Sequence, residues 1–199
     1  GADSNISGIG HESRGFNGKR LVGYFESHDE ERVMYQALQF GNNWDGYNIQ
    51  NLDVALSRMS AIGSVSIMVP GPKMIWHFSE LGMENSLFTC YDGSVNEPDC
   101  KLDTKPQPQW VDNWLGNENR SEIYDNWSRM IELKINEDVF EGDYSITSGG
   151  LTPIIYIWDD NISSSDLKNV VIIANFDVVD QNITPYFPYT GVWYDLMDS

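Results

Sequence analysis

Apolar and polar positions follow three different rhythms along this chain. Residues 21–25 (Leu-Val-Gly-Tyr-Phe) form a short unbroken apolar run, as a buried strand does. The run switches at once to Glu26, Ser27, His28, Asp29, Glu30, Glu31 and Arg32. Residues 31–40 then read as a short helix or turn, and 41–48 as a loop rich in Gly and Asn. The second rhythm is helical. Leu52, Ala55, Leu56, Met59, Ile62 and Val65 recur at spacings of three and four, which predicts a helix over 51–68. Gln50 or Asn51 starts it, Asp53 suits its first turn, and Pro70-Gly71-Pro72 stops it. A second apolar run, 73–78, follows and leads into Ser79-Glu80-Leu81-Gly82. Strand, helix and strand with tight connections make a βαβ unit, so the two strands are expected to be parallel.

Residues 83–118 are a long polar excursion that includes the Pro-rich stretch 105–110. A connection of that length in a compact domain is usually functional or a docking segment. Residues 119–134 predict another helix, with Asn119 and Glu122 as its capping box and a stripe of Ile123, Trp127, Met130, Ile131 and Leu133. From Asp138 the third rhythm begins, with short β-branched or alternating runs at 139–144, 154–158, 170–176, 181–186 and 192–196. Gly, Asn, Asp, Ser and Pro separate them, as in an antiparallel sandwich. A boundary near Asn136 therefore divides the chain into 1–136 and 137–199.

Bulk properties narrow the reading. A net charge of −18 over 199 residues argues against nucleic acid or an anionic membrane surface as partner. No apolar run is long enough to span a bilayer. Gly1-Ala2-Asp3 reads as an expression junction, so the natural N-terminus is expected to be missing. Seven Trp and ten Tyr are many; they serve as core fillers or as platforms for sugars. Cys90 and Cys100 bracket a segment of turn chemistry, Asp92-Gly93 and Asn96-Glu97-Pro98-Asp99, and their spacing is not that of a zinc site. A disulfide closing a surface loop is the favoured reading, with two free thiols as the alternative. A disulfide implies an oxidising compartment, hence a secreted, periplasmic or cell-surface protein.

The acidic burst after residues 21–25 has two readings. It is a solvated helix start, because acidic side chains favour a helix N-terminus, or it is the edge of an active site at a strand's carboxyl end. The motifs favour the second. Gly23-Tyr24-Phe25-Glu26-Ser27-His28-Asp29 resembles the segment at the seventh barrel strand of the α-amylase family, glycoside hydrolase family 13. Pro70-Gly71-Pro72-Lys73-Met74-Ile75-Trp76-His77-Phe78-Ser79-Glu80-Leu81-Gly82 is similar to that family's eighth-strand segment. Residues 121–134 resemble its eighth barrel helix, and the tail ending in Val192-Trp193-Tyr194-Asp195-Leu196 resembles the sandwich that follows the barrel. The resemblance implies an α/β fold: the C-terminal part of a (β/α)8 TIM barrel over 1–136, followed by an antiparallel all-β sandwich, truncated, over 137–199. It also implies roles. Asp29 would be the carboxylate that stabilises the oxocarbenium-like transition state, and His28 would hydrogen-bond the sugar there. Glu26, Trp76 and Glu80 complete the expected sugar-contacting set, Glu80 mainly by shaping the site.

Departures accompany the likeness. Ser27 stands where Asn is frequent, and His77-Phe78 where an aromatic residue and Gly are common. The family's nucleophilic Asp and general-acid Glu have no matching motif here. Retaining hydrolysis needs two carboxyls about 5–5.5 Å apart, so Asp29 cannot fill both posts. The chain is expected to be the C-terminal fragment of an α-amylase-like enzyme acting on α-glucans by a retaining mechanism, inactive alone. No cofactor or metal is expected in it, calcium in this family being bound upstream. The alternative is a non-catalytic carbohydrate-binding or scaffold module; a further reading makes Asp29, with Glu26 or Glu30, an independent hydrolase. Two barrel strands cannot close on themselves. Self-association is therefore expected to cover the faces of Tyr24, Phe25, Ile75 and Trp76, with folding back of 83–118 or the N-terminal loop as alternatives.

Overall fold

The computed structural model describes residues 5–104 and 110–198. Gly1-Ala2-Asp3, where an expression junction is expected, and residues 105–109 of the Pro-rich stretch lie outside the described residues. The chain forms two compact units, each built from segments distant in sequence. The first comprises the described residues of Gly1–Gly23, Ser60–Lys73 and Asn126–Ser199; the second comprises those of Tyr24–Met59 and Met74–Asp125. The sequence boundary at Asn136 coincides with the end of a helix, whereas the compact units interleave.

The helices follow the apolar stripes. Helix α1 spans Val33–Phe40. The helix expected over 51–68 is divided into α2, Leu52–Ser57, and α3, Met59–Ile67, with Arg58 between them donating its N–H to the Ala55 carbonyl. Asn51 is the N-cap: its side-chain oxygen accepts from the N–H groups of Asp53 and Val54, satisfying two donors that the first turn cannot pair internally. Ala55, Leu56, Met59 and Val65 are buried as the stripe requires, while Leu52 is exposed. Helix α4 spans Glu118–Asn136. Its start corrects the expected capping box. Asn117 accepts from the Arg120 N–H, and Asn119 instead donates its amide to Asp53. Ile123, Trp127 and Met130 form the buried part of its face.

In the first unit, the expected parallel strands are reduced to a single bridge. Gly23 pairs in parallel with Lys73, and the Gly23 N–H donates to the Pro72 carbonyl at 3.0 Å. The direction follows the βαβ reading; the length does not. A side chain at residue 23 would place its Cβ 2.5 Å from the Ile9 carbonyl oxygen, so glycine permits this close approach. A barrel is not seen among the described residues.

The C-terminal region contributes one three-stranded antiparallel sheet: β3, Asp143–Thr147; β4, Ile154–Trp158; and β5, Asn169–Ile173. Tyr144 faces Ile157 and Ile146 faces Ile155 across the first pair; Ile157 faces Val170 across the second. Tyr144, Ile155, Ile157 and Val170 are buried, the period of two that the sequence shows. The strand expected at 139–144 is corrected. Val139 and Phe140 are buried within a 3-10 turn, Asp138–Glu141, and the strand begins only after Gly142. A Cβ at residue 142 would lie 2.2 Å from the Trp158 carbonyl oxygen. Residues 181–186 and 192–196 form no ladder, so among the described residues from 137 onward there is one sheet and not a sandwich. Pro185 lacks a donor, and Tyr186 takes a left-handed φ of 49°, both hostile to a strand.

The second unit holds a feature that the loop reading of 41–48 missed. Strands β1, Asn43–Trp44, and β2, Tyr47–Asn48, form a hairpin around Asp45-Gly46. Both turn residues have positive φ, 46° and 88°, as a two-residue hairpin turn requires. The Asp-Gly pair between two aromatics was the available signal.

Candidate functional site

The acidic burst lies entirely in the second unit and does not behave as one group. Glu26 is 3% exposed. Its carboxylate accepts from the Val33 N–H at 2.8 Å and from the Ser79 hydroxyl, and it lies 3.5 Å from the Arg32 guanidinium. Arg32 is equally buried; it donates to the His77 carbonyl at 3.1 Å and lies 3.4 Å from the His77 ring nitrogen. Burial pulls the Arg32 pKa down, and the carboxylates of Glu26, Glu31 and Glu80 oppose that. Glu26 is therefore a structural anchor joining the burst to the 76–79 segment. Expected among the sugar-contacting residues, Glu26 is buried here, with both carboxylate oxygens engaged by protein groups.

Glu31 turns the other way. It accepts from the Ser86 hydroxyl, from the Leu87 N–H at 2.9 Å and from the Arg32 N–H at 2.8 Å, tying the start of the long excursion to the burst. Ser86, Leu87 and Phe88 are buried, so the excursion folds back on this region.

Between these two anchors the chain exposes His28 and Asp29, whose side chains are 56% and 64% accessible. Ser27 supports them: its hydroxyl accepts from the Asp29 N–H at 3.0 Å and donates to Glu30. Asp29 Oδ1 accepts from Lys101 Nζ at 3.0 Å, and Asp29 Oδ2 lies 3.4 Å from His28 Nε2. The hydrogen bond from Lys101, then the charges of His28 and Lys101, hold the Asp29 carboxyl below the usual range. Asp29 is thus an ionised, accessible carboxylate in a defined setting.

Trp76 stands beside His28. Its ring centroid is 5.8 Å from that of His28 at an interplanar angle of 46°, and 4.3 Å from that of His77. The indole N–H of Trp76 is buried without a hydrogen-bond partner. Glu80 sits in the turn Ser79–Leu81, half-buried, and burial raises its pKa. Burial, and then the Arg32 charge, lowers the His77 pKa.

Cys90 and Cys100 are joined, with Cα atoms 5.1 Å apart. The residue that sequence reasoning missed is Lys101, directly after the second cysteine and 72 positions from Asp29. No local pattern connects the two. Among the described residues no group of three or more His, Cys, Asp or Glu is arranged to hold a metal ion, and no helix is long and apolar enough to cross a membrane.

Comparison with known proteins gives distant structural likenesses. The chain is similar to Amy13B of Eubacterium rectale with a TM-score of 0.41 and 14% identity, over 69% of this chain and 27% of that one. It is similar to the trehalose-6-phosphate hydrolase of Bacillus licheniformis with a TM-score of 0.36 and 13% identity, over 74% of this chain and 40% of that one. The chain thus spans well under half the length of either. No family model and no curated protein matches it. Likeness at this level fixes neither the chemistry nor the residues that carry it.

Proposed function

We propose that this chain is the C-terminal part of an α-amylase-like glycoside hydrolase acting on α-glucans, in which Asp29 stabilises the transition state. The observation that carries the reading is the split of the burst. Glu26 and Glu31 are consumed as anchors, while Asp29 is presented ionised and accessible beside the His28 imidazole, which in turn lies next to the Trp76 indole. A fixed anion lowers the barrier wherever positive charge develops on a sugar ring, because it needs no reorganisation at the moment of reaction. His28 offers ring nitrogens to sugar hydroxyls, and Trp76 supplies an apolar face. Glu80 shapes the floor. The motifs around Gly23–Asp29 and Pro70–Gly82 support the assignment by their resemblance to family 13. The disulfide supports an extracytoplasmic location.

This chain supplies neither nucleophile nor general acid on that reading, so it is expected to give no turnover on maltooligosaccharides by itself. In the longer polypeptide, Asp29→Ala is expected to lower kcat by about 10²–10³-fold, the loss seen when a preorganised electrostatic group is removed. Unchanged turnover in that variant would remove Asp29 from the mechanism. Reproducible hydrolysis by the isolated chain, abolished by Asp29→Ala, would instead establish the independent hydrolase.

The second reading, a non-catalytic carbohydrate-binding module, is favoured by the β1–β2 hairpin. It holds Trp44 outward at 64% exposure, with Tyr47 beside it braced by the Arg58 guanidinium at 3.2 Å from its hydroxyl. Sugar binding that survives Asp29→Asn and disappears with Trp44→Ala would select it.

A further inference from the structure

The long excursion returns to the burst at two points, and the two are connected through the loop itself. Glu31 grips Ser86 and the Leu87 N–H at the start of the segment. The Leu87 carbonyl accepts from the Leu102 N–H at 2.8 Å. Leu102 is the neighbour of Lys101, and Lys101 donates to Asp29. The ring Asp29, Lys101, Leu102, Leu87, Glu31 therefore closes on itself within the second unit. The Cys90–Cys100 disulfide lies inside the ring and fixes the approach to Lys101. Further bonds across it are Cys90 N–H to the Ser94 carbonyl at 2.8 Å, Asn96 N–H to the Phe88 carbonyl at 3.0 Å and Cys100 N–H to the Asn96 carbonyl at 3.0 Å.

This architecture changes what a surface ion pair can do. An exposed pair between two long flexible side chains contributes little, largely because ordering both costs conformational entropy. Here the lysine side chain is only 34% exposed, and its backbone is pinned at the adjacent cysteine and at Leu102. Asp29 is short and is itself fixed by the Ser27 hydroxyl. Most of the ordering is already imposed by the fold. His28 is the other group facing the carboxylate, on its second oxygen. With one oxygen held by Lys101 and the other beside His28, the carboxylate plane is set.

We propose that the disulfide-closed segment is part of the site, and that it delivers Lys101 as the positioning residue that orients the Asp29 carboxylate. The proposal rests on Asp29 being the site carboxylate, and it adds that the loop has been built to serve it. A purely structural role for the disulfide would stabilise the loop and leave Asp29 indifferent to it.

The test follows the Asp29 carboxyl carbon by NMR through an acid titration of the intact chain. Wild type is expected to titrate below the ordinary Asp range of about 3.9. Lys101→Met is expected to move the midpoint up towards it, and Lys101→Arg to restore the low value. Cys90→Ser/Cys100→Ser is expected to move the midpoint up as well, although Lys101 is still present. An unshifted midpoint in Lys101→Met, or wild-type behaviour in the double serine variant, overturns the proposal. If the serine variant does not fold, Lys101→Met and Lys101→Arg decide it, since both change a partly exposed side chain. Maltoheptaose is then added to each folded protein. Weaker binding in Lys101→Met, with no further loss when Asp29→Asn is combined with it, is the expected result. Failure of wild type to bind the sugar, with the midpoint shifts intact, would count against sugar recognition by this chain alone and leave the positioning role standing.

Discussion

Replacing Arg32 by Met removes one half of a buried charge pair and leaves the other half in place. The side chains of Arg32 and Glu26 are 2% and 3% exposed. The guanidinium also donates to the His77 carbonyl, and the Glu26 carboxylate accepts from Val33 and Ser79. With Met at 32 the carboxylate keeps two donors and loses its counter-charge. Breaking a buried pair from one side costs about 3–5 kcal/mol, because the remaining charge is uncompensated. At roughly 2–4 °C per kcal/mol for a chain of this size, the melting temperature should fall by roughly 6–20 °C. Urea denaturation followed by tryptophan fluorescence measures the loss directly, the midpoint falling at unchanged slope. Combining Arg32→Met with Glu26→Gln retains an acceptor for Val33 and Ser79 but removes the orphaned charge. The double variant is expected to be more stable than Arg32→Met alone. A single variant losing under about 1 kcal/mol, or a double variant no better than the single, would refute the view that Glu26 is a buried anchor.

Three further outcomes are expected. Asn51→Ala removes the α2 cap and should cost about 1 kcal/mol in chemical denaturation. Gly63→Ala drives a Cβ to 2.3 Å from the Trp127 indole nitrogen and should cost about 1–3 kcal/mol, with a change in tryptophan fluorescence. Stability should rise with pH between about 7 and 10.5. Burial lowers the pKa of Lys134 to about 7 and that of Lys73 to about 8, from 10.5, so across that window the unfolded chain holds more protons than the native one. The penalty for burying these charges is complete below about 7 and vanishes above 10.5; Lys134→Met should flatten the slope, as read from denaturation midpoints at a series of pH values.

The order of helices and strands is local information, and it was legible. The stripe from Ala55 to Val65 marks α2 and α3, and the alternation at Ile154–Trp158 marks β4, because each pattern states which face is buried without saying against what. Asn51 announced a helix start for the same reason: its partners are two and three residues away. The parallel sense of Gly23 and Lys73 followed from connection length. The reduction of those runs to one bridge, and the absence of ladders at 181–186 and 192–196, did not follow. A strand exists only where a neighbour offers its hydrogen-bonding groups, and an apolar run does not name that neighbour. The same limit governs the site. Glu26, Asp29 and Glu31 share one acidic burst and are equivalent by composition. Packing alone made Glu26 a buried anchor against Ser79, Glu31 a clamp on Leu87, and Asp29 an open carboxylate. Lys101 reaches Asp29 across 72 positions because a disulfide and a backbone bond steer the loop, and such a meeting is decided by the path of the folded chain rather than by any spacing along it.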